Sequence, residues 1–179
     1  MTEIKWLGRG GQGAFTASRL LGIAASIYEG HNAQAFPSFG PERRGAPVSA
    51  FTRISDSTIQ NRSEIASADY LIILDETLYS PEAEIYVKKG GSVLINTDRK
   101  ISASNSGIKI IGFDSGICGI SLSGNNAINT VMFGAFISVS EIVNLSSAEK
   151  AIESEMNPFV AAKNIDIIRK AYSRMKELL

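Results

Sequence analysis

Ile4-Lys5-Trp6-Leu7-Gly8-Arg9-Gly10-Gly11-Gln12-Gly13-Ala14 is the stretch that decides the fold. Ile4 to Leu7 reads as a first strand. Ala14 to Ala25 reads as a helix with Ala17, Leu20, Leu21 and Ala24 on its apolar side. A strand that turns at glycines straight into a helix aims backbone N–H groups and the helix N-terminus at one point, which suits a phosphate or another anion. Gly8, Gly10 and Gly13 fit G-x-G-x-x-G, a spacing that alone does not specify a dinucleotide. A tight turn with close helix–sheet packing accounts for the glycines equally well. Arg9 and Gln12 tilt the reading toward a ligand or partner, because a purely structural turn does not need them.

A dinucleotide would also require an acid about twenty positions on, at the end of a second strand. The chain offers Glu29 before a Gly30-His31-Asn32 turn. The stretch beyond, Ala33 to Pro37, is short and interrupted by Pro37, so Asn32 to Gly45 reads as irregular.

Composition narrows the function. The 179 residues are read as one domain, 1–179, with 18 Lys plus Arg against 18 Asp plus Glu. Bulk charge therefore gives no attraction to nucleic acid, and no apolar run approaches a membrane span. Met1 to Lys5 enters the first strand directly, leaving no room for a signal peptide, and a cytoplasmic location is expected. Cys118 is the sole cysteine. It forms no internal disulfide and cannot supply the four thiolates an iron–sulfur cluster usually takes. It reads as a small buried apolar residue, and the sole histidine, His31, as a surface turn residue; a Cys–His pairing through the fold stays open. No catalytic residue and no metal site is assigned to this chain.

The remaining pattern alternates. Pro47 to Ile54 is a strand with Val48, Ala50 and Thr52 on one face and Ser49, Phe51 and Arg53 on the other. Ala68 to Asp75 contains the apolar run Tyr70 to Leu74, as in strands buried on both faces. A short helix is expected over Leu78 to Lys88, ended by Gly90-Gly91, with strands at Ser92 to Asn96 and Ile108 to Phe113. Helices follow at Asn125 to Ser138, apolar nearly all round and so buried, then at Ser147 to Met156 with Ser146 or Ser147 as N-cap. Asn157-Pro158 breaks the run before a final helix, Val160 to Leu178. The alternation implies α/β architecture, a three-layer α/β/α Rossmann-like domain with a mostly parallel sheet.

A second unusual segment is Gln34-Ala35-Phe36-Pro37-Ser38-Phe39-Gly40-Pro41-Glu42-Arg43-Arg44-Gly45-Ala46-Pro47-Val48. A long irregular stretch is usually functional or disordered, and its aromatic and proline content argues against disorder. Phe36, Phe39, Glu42, Arg43 and Arg44 then offer a contact surface of the kind enriched at interfaces, and the arginine pair can clamp a carboxylate or phosphate. Solvated arginines on an ordinary surface loop are the plainer alternative.

The two motifs together, with Asp69 to Asp75, Gly90 to Asn96, Asn126-Ala127-Ile128-Asn129-Thr130-Val131-Met132-Phe133-Gly134-Ala135 and Lys163-Asn164, resemble the gamma subunit of 2-oxoacid:ferredoxin oxidoreductases, in the pyruvate (pyruvate synthase) or 2-oxoisovalerate branch. That resemblance spans essentially the whole chain. It implies an enzyme converting a 2-oxoacid, coenzyme A and oxidised ferredoxin to acyl-CoA, carbon dioxide and reduced ferredoxin. It implies alpha, beta and delta partner subunits that hold thiamine diphosphate, magnesium and [4Fe–4S] clusters, and no cofactor on this chain alone. The gamma chain would help close the site, with Gly8, Arg9, Gly10, Gly11, Gln12 and Gly13 facing coenzyme A, another anion or a partner, and with the Phe36 to Val48 loop at the active-site mouth. The isolated chain would be inactive. The competing reading is a stand-alone nucleotide-binding oxidoreductase built on the Gly8–Gly13 loop.

Overall fold

Six strands form one mixed sheet in the order β2-β3-β1-β4-β5-β6. They are β1 (Thr2–Arg9), β2 (Asn32–Pro37), β3 (Pro47–Ser55), β4 (Ala68–Ile73), β5 (Val87–Asn96) and β6 (Lys109–Phe113). The structure, a computed structural model, describes residues 1–38, 45–102, 107–118 and 127–179. β3 pairs antiparallel with both β1 and β2, while β1, β4, β5 and β6 pair in parallel. Five strands thus run one way and β3 the other, which matches the expected α/β fold with a mostly parallel sheet.

Alternation within each strand separates the two faces. Ile4, Trp6, Ala50, Ile72, Leu94 and Phe113 point to one side, into the main core with α1 (Ala14–Ile23), α2 (Ile128–Ser140), α3 (Leu145–Glu155) and α4 (Pro158–Leu178). Trp6 meets Phe136 and Phe133 edge-on, at centroid distances of 5.6 and 6.4 Å. Its Nε1 donates to Thr52 Oγ1 at 3.2 Å, so the indole is buried with its polar atom satisfied. Gly134 lets α2 close on α4: a Cβ there would lie 2.7 Å from the Ile168 carbonyl oxygen.

The opposite face is covered more thinly. Leu71, Ile73, Val93 and Ile95 pack with Ala83 and Val87, beneath 3₁₀ turns at Glu76–Leu78 and Pro81–Tyr86. These turns stand where a helix over Leu78 to Lys88 is expected. Val87 pairs with Ala68 in the sheet, so the chain must already be extended there, and tertiary pairing overrides local helix preference. Gly90-Gly91 accordingly lies inside β5 and does not end a helix. A Cβ on Gly91 would sit 2.7 Å from the Asp69 carbonyl, and the β4–β5 register shifts at Ala68/Tyr70.

Two further expectations change. Pro37 ends a regular strand rather than interrupting one. Ser38 N donates to Ser49 O at 2.9 Å, and with Pro37 opposite Ala50 the alternation of the ladder turns the Pro37 nitrogen outward, where no N–H is required. The N-cap of α3 is Asn144, not Ser146 or Ser147. Its backbone N and side-chain Nδ2 both donate to Glu29 Oε1, at 2.6 and 3.1 Å. Asn157 does start α4, accepting from Val160 N at 3.0 Å, and α2 is buried almost throughout. The expected start of α2 at Asn125 lies outside the described residues.

Candidate functional site at the glycine turn

Arg9, the last residue of β1, stands opposite Pro47, the first of β3. An antiparallel pair with this register must place the Gly8–Gly13 turn and the base of the Phe36 to Val48 segment at the same end of the sheet. Backbone bonds join them: Gly10 N donates to Ala46 O at 2.9 Å and Gly45 N to Gly10 O at 3.3 Å. Two motifs separated in sequence form one structure.

Arg9 and Gln12 both reach Asp75, just beyond the end of β4. Arg9 Nε donates to Asp75 Oδ2 at 3.0 Å and Gln12 Nε2 to the same oxygen at 3.2 Å. Arg9 Nη2 reaches Thr77 Oγ1 at 2.6 Å and Nη1 reaches Gly45 O at 3.1 Å, while Gln12 Oε1 accepts from Arg9 N at 2.7 Å. Burial pushes the Asp75 carboxyl up, but the Thr77 and Gln12 hydrogen bonds and the Arg9 charge outweigh it and hold the group below the usual range. The two polar side chains read as ligand-facing therefore have internal partners, and they lock the turn to β4 and to the loop base.

Gly11 and Gly13 adopt φ of +97° and +80°, conformations that favour glycine. A Cβ on Gly13 would also lie 2.6 Å from Asn129 Nδ2, so the turn packs directly on the first turn of α2. Gly13 is the N-cap of α1 without a side-chain cap, and α2 likewise starts without one. Between these ends lies a cavity of about 270 Å³ lined by Gly11, Gln12, Gly13, Thr16, Asn129, Met156, Val160 and Asn164. Asn129 is 6% exposed, and among the described residues its Oδ1 has no hydrogen-bond partner. Asn164 is fixed in contrast: it accepts from Thr130 Oγ1 at 2.6 Å and donates to Val160 O at 2.9 Å.

Thr16, Asn129 and Asn164 escape the sequence reading as site residues, as does Asp75. The available signal was an Asn-Thr pair near the start of an otherwise apolar helix. Phe36 packs on Phe51 at 5.3 Å between centroids and under the Arg53 guanidinium at 5.4 Å. Phe39, Glu42, Arg43 and Arg44 lie outside the described residues. Glu29, the only acid placed for a dinucleotide ribose, is engaged with Asn144. His31 pairs with Asp56 at 2.9 Å beside β2. Cys118 follows β6 at the other sheet edge, where burial pushes its thiol up, so no Cys–His pair forms. A larger cleft of about 440 Å³ beside Cys118 is lined by Arg169, Lys170 and Arg174. Glu149, Asp166 and Glu177 already match those charges, which leaves the glycine turn as the better candidate.

Fold and site define an α/β domain with a glycine-rich turn at the C-terminal ends of its parallel strands, where open sheets of this kind bind ligands. The chain belongs to the pyruvate ferredoxin/flavodoxin oxidoreductase family, which matches residues 3–174. It is similar to the pyruvate synthase subunit PorC of Methanothermobacter marburgensis, 42% identical and covering 98% of each chain. It is also similar to the common gamma subunit of pyruvate/ketoisovalerate oxidoreductases of Thermococcus litoralis, 36% identical over 97% of each. Among solved structures it resembles pyruvate oxidoreductase subunit PORC of Thermotoga maritima, with a TM-score of 0.81 and 35% identity over 96% of this chain and 95% of that one. This is the gamma-subunit branch of a multisubunit oxidoreductase family. Among the described residues, no helix is long and apolar enough to cross a membrane.

Proposed function

We propose that this chain works as one unit, residues 1–179, as the gamma subunit of a cytoplasmic pyruvate-type 2-oxoacid:ferredoxin oxidoreductase. That enzyme turns pyruvate, coenzyme A and oxidised ferredoxin into acetyl-CoA, carbon dioxide and reduced ferredoxin. Alpha, beta and delta subunits supply thiamine diphosphate, magnesium and [4Fe–4S] clusters. A single cysteine in this chain cannot furnish a cluster's thiolates, and its described acids, histidine and cysteine do not gather into a group that could hold a metal. Its own contribution is to bind and orient.

The observation that carries the reading is the coupling of turn, loop base and cavity. The Gly8–Gly13 turn and the cavity beside Asn129 receive the anionic part of coenzyme A. Uncapped helix N-termini favour phosphate, and the buried Asn129 Oδ1, an acceptor without a partner among the described residues, takes an N–H or O–H donor from a neutral part of the same ligand. The loop with Phe36, Phe39, Glu42, Arg43 and Arg44 meets the alpha and beta subunits at the active-site mouth. Arg9 holds the base of that loop through Gly45.

Coexpression with candidate alpha, beta and delta chains tests this. The expected result is a stable complex that reduces ferredoxin only with both pyruvate and coenzyme A. A chain that purifies alone, carries a nucleotide and turns over a substrate unaided would establish the stand-alone oxidoreductase instead.

A further inference from the structure

The two edges of the sheet are built differently. β6 carries Lys109, exposed at its start, a charge of the kind that protects edge strands. β2 reads Asn-Ala-Gln-Ala-Phe-Pro and has no charged residue. Its pairing with β3 is continuous from Asn32 to Pro37. Because Ser38 N bonds Ser49 O, the alternation of an antiparallel ladder directs the N–H and C=O groups of Gln34 and Phe36 toward β3. Those of Ala33 and Ala35 then point to the open edge. Among the described residues, neither alanine has another hydrogen-bond partner.

A groove of about 480 Å³ runs against this edge, lined by Gln34, Ala35, Phe36 and Arg62. Gln34 is tied down by its bond to Ile59 O at 3.2 Å, and Phe36 by its contact with Phe51. The wall is therefore preformed. Arg62 is exposed and forms no ion pair among the described residues. The nearby acids are already engaged: Asp56 with His31, and Glu64 with Ser38 Oγ at 2.6 Å.

We propose that the outer edge of β2 accepts an extended segment of a partner subunit by strand addition. The segment would place a carboxylate against Arg62 and an apolar side chain beside Phe36, on the face that Gln34 shares. Backbone groups of Ala33 and Ala35 supply the main-chain bonds that give such pairing its affinity, and the groove selects the side chains. A second copy of this chain fits less well. It would bring another uncharged β2 and another Arg62 to the edge, with no acid for either arginine. The proposal rests on the gamma-subunit reading and specifies how that subunit is held.

Amide hydrogen exchange over Asn32 to Pro37, in the full chain alone and in the assembled complex, tests it. Exchange is expected to slow about tenfold or more on assembly. Arg62→Glu is expected to weaken assembly about tenfold while leaving the melting temperature of the chain unchanged. Ala35→Pro, which removes an outward N–H and no β3 bond, is expected to weaken assembly similarly. If the complex forms and β2 exchanges as in the free chain, or if Arg62→Glu assembles normally, strand addition is wrong and the subunit reading survives. Protection that depends only on the concentration of this chain would mean self-pairing and would also overturn it. If no complex forms with wild-type chain, both readings fail.

Discussion

The same strands build two unlike surfaces. On the helix side, Ile4, Trp6, Ala50, Ile72 and Leu94 belong to one apolar core with α1 and α2. On the other side, alternate residues of β1, β3 and β4 and the start of β5 place Glu3, Lys5, Arg53, Asp69 and Lys88 side by side. Arg53, 1% exposed, donates from Nε to Glu3 Oε1 at 2.9 Å and from Nη1 to Asn61 O at 3.2 Å. Lys88 bridges Glu3 and Asp69 at 3.0 and 2.9 Å. Lys5 lies over the Tyr86 ring at 3.7 Å and, among the described residues, has no acid within ion-pair distance. The contrast separates two tasks. The helix side holds the fold through burial, which is strong and non-directional. The other side adds directional charge pairs to a smaller apolar cluster of Leu71, Ile73, Val93 and Ile95 beneath a thin cover.

The largest effect should come from emptying the helix side. Trp6→Ala is expected to lower unfolding free energy by about 3–5 kcal/mol in urea titration, through lost burial and a cavity beside Phe133 and Phe136. A loss under about 1 kcal/mol would mean that this face does not dominate stability.

On the charged side, Glu3→Ala is expected to cost about 3 kcal/mol, because it strands the buried Arg53 guanidinium. Burial raises the Glu3 carboxyl, but hydrogen bonds from Arg53 and Lys88 outweigh it and bring the group below its ordinary 4.5. A carboxylate depressed in the folded state contributes stability above its unfolded pKa and loses it as pH falls through the folded value. Wild type should therefore lose stability progressively below about pH 4.5, with Asp75 adding to the loss. Thermal melts of Glu3→Ala should show a shallower acid limb.

The smallest effect is expected at Lys5. Burial pushes its ammonium down, partly opposed by the charge of Glu64, and ring contacts supply only modest compensation. Lys5→Met should stay within about 1 kcal/mol of wild type, since the lost cation–π contact and the relieved desolvation nearly cancel. A large loss would show that Lys5, too, is a member of the charge network.

Sequence made the helix side largely legible. Alternation in β3, the apolar run of β4 and the all-round apolar α2 each reported burial directly. The other face was harder to read, because Arg53 and Lys5 look like solvated charges until the strands are assembled. Gly90-Gly91 looked like a helix stop because its reason, close approach to Asp69, lies on another strand. The glycine turn was visible as a motif, but the partners of Arg9 and Gln12 were not: Asp75 is 66 and 63 positions away. Asn129 was hidden for a related reason. A single amide in an apolar helix becomes informative only when its oxygen is seen without a partner.

Asn129 gives the most direct test, because structural and functional roles predict opposite results there. In the assembled enzyme carrying Asn129→Leu, the KM for coenzyme A is measured together with the melting temperature of the chain. Removing an amide whose buried oxygen has no partner among the described residues should leave stability unchanged or raised, while a ligand-binding role predicts a KM raised about tenfold. An unchanged KM in a fully assembled, normally stable enzyme would contradict the assignment of the glycine-turn cavity to coenzyme A.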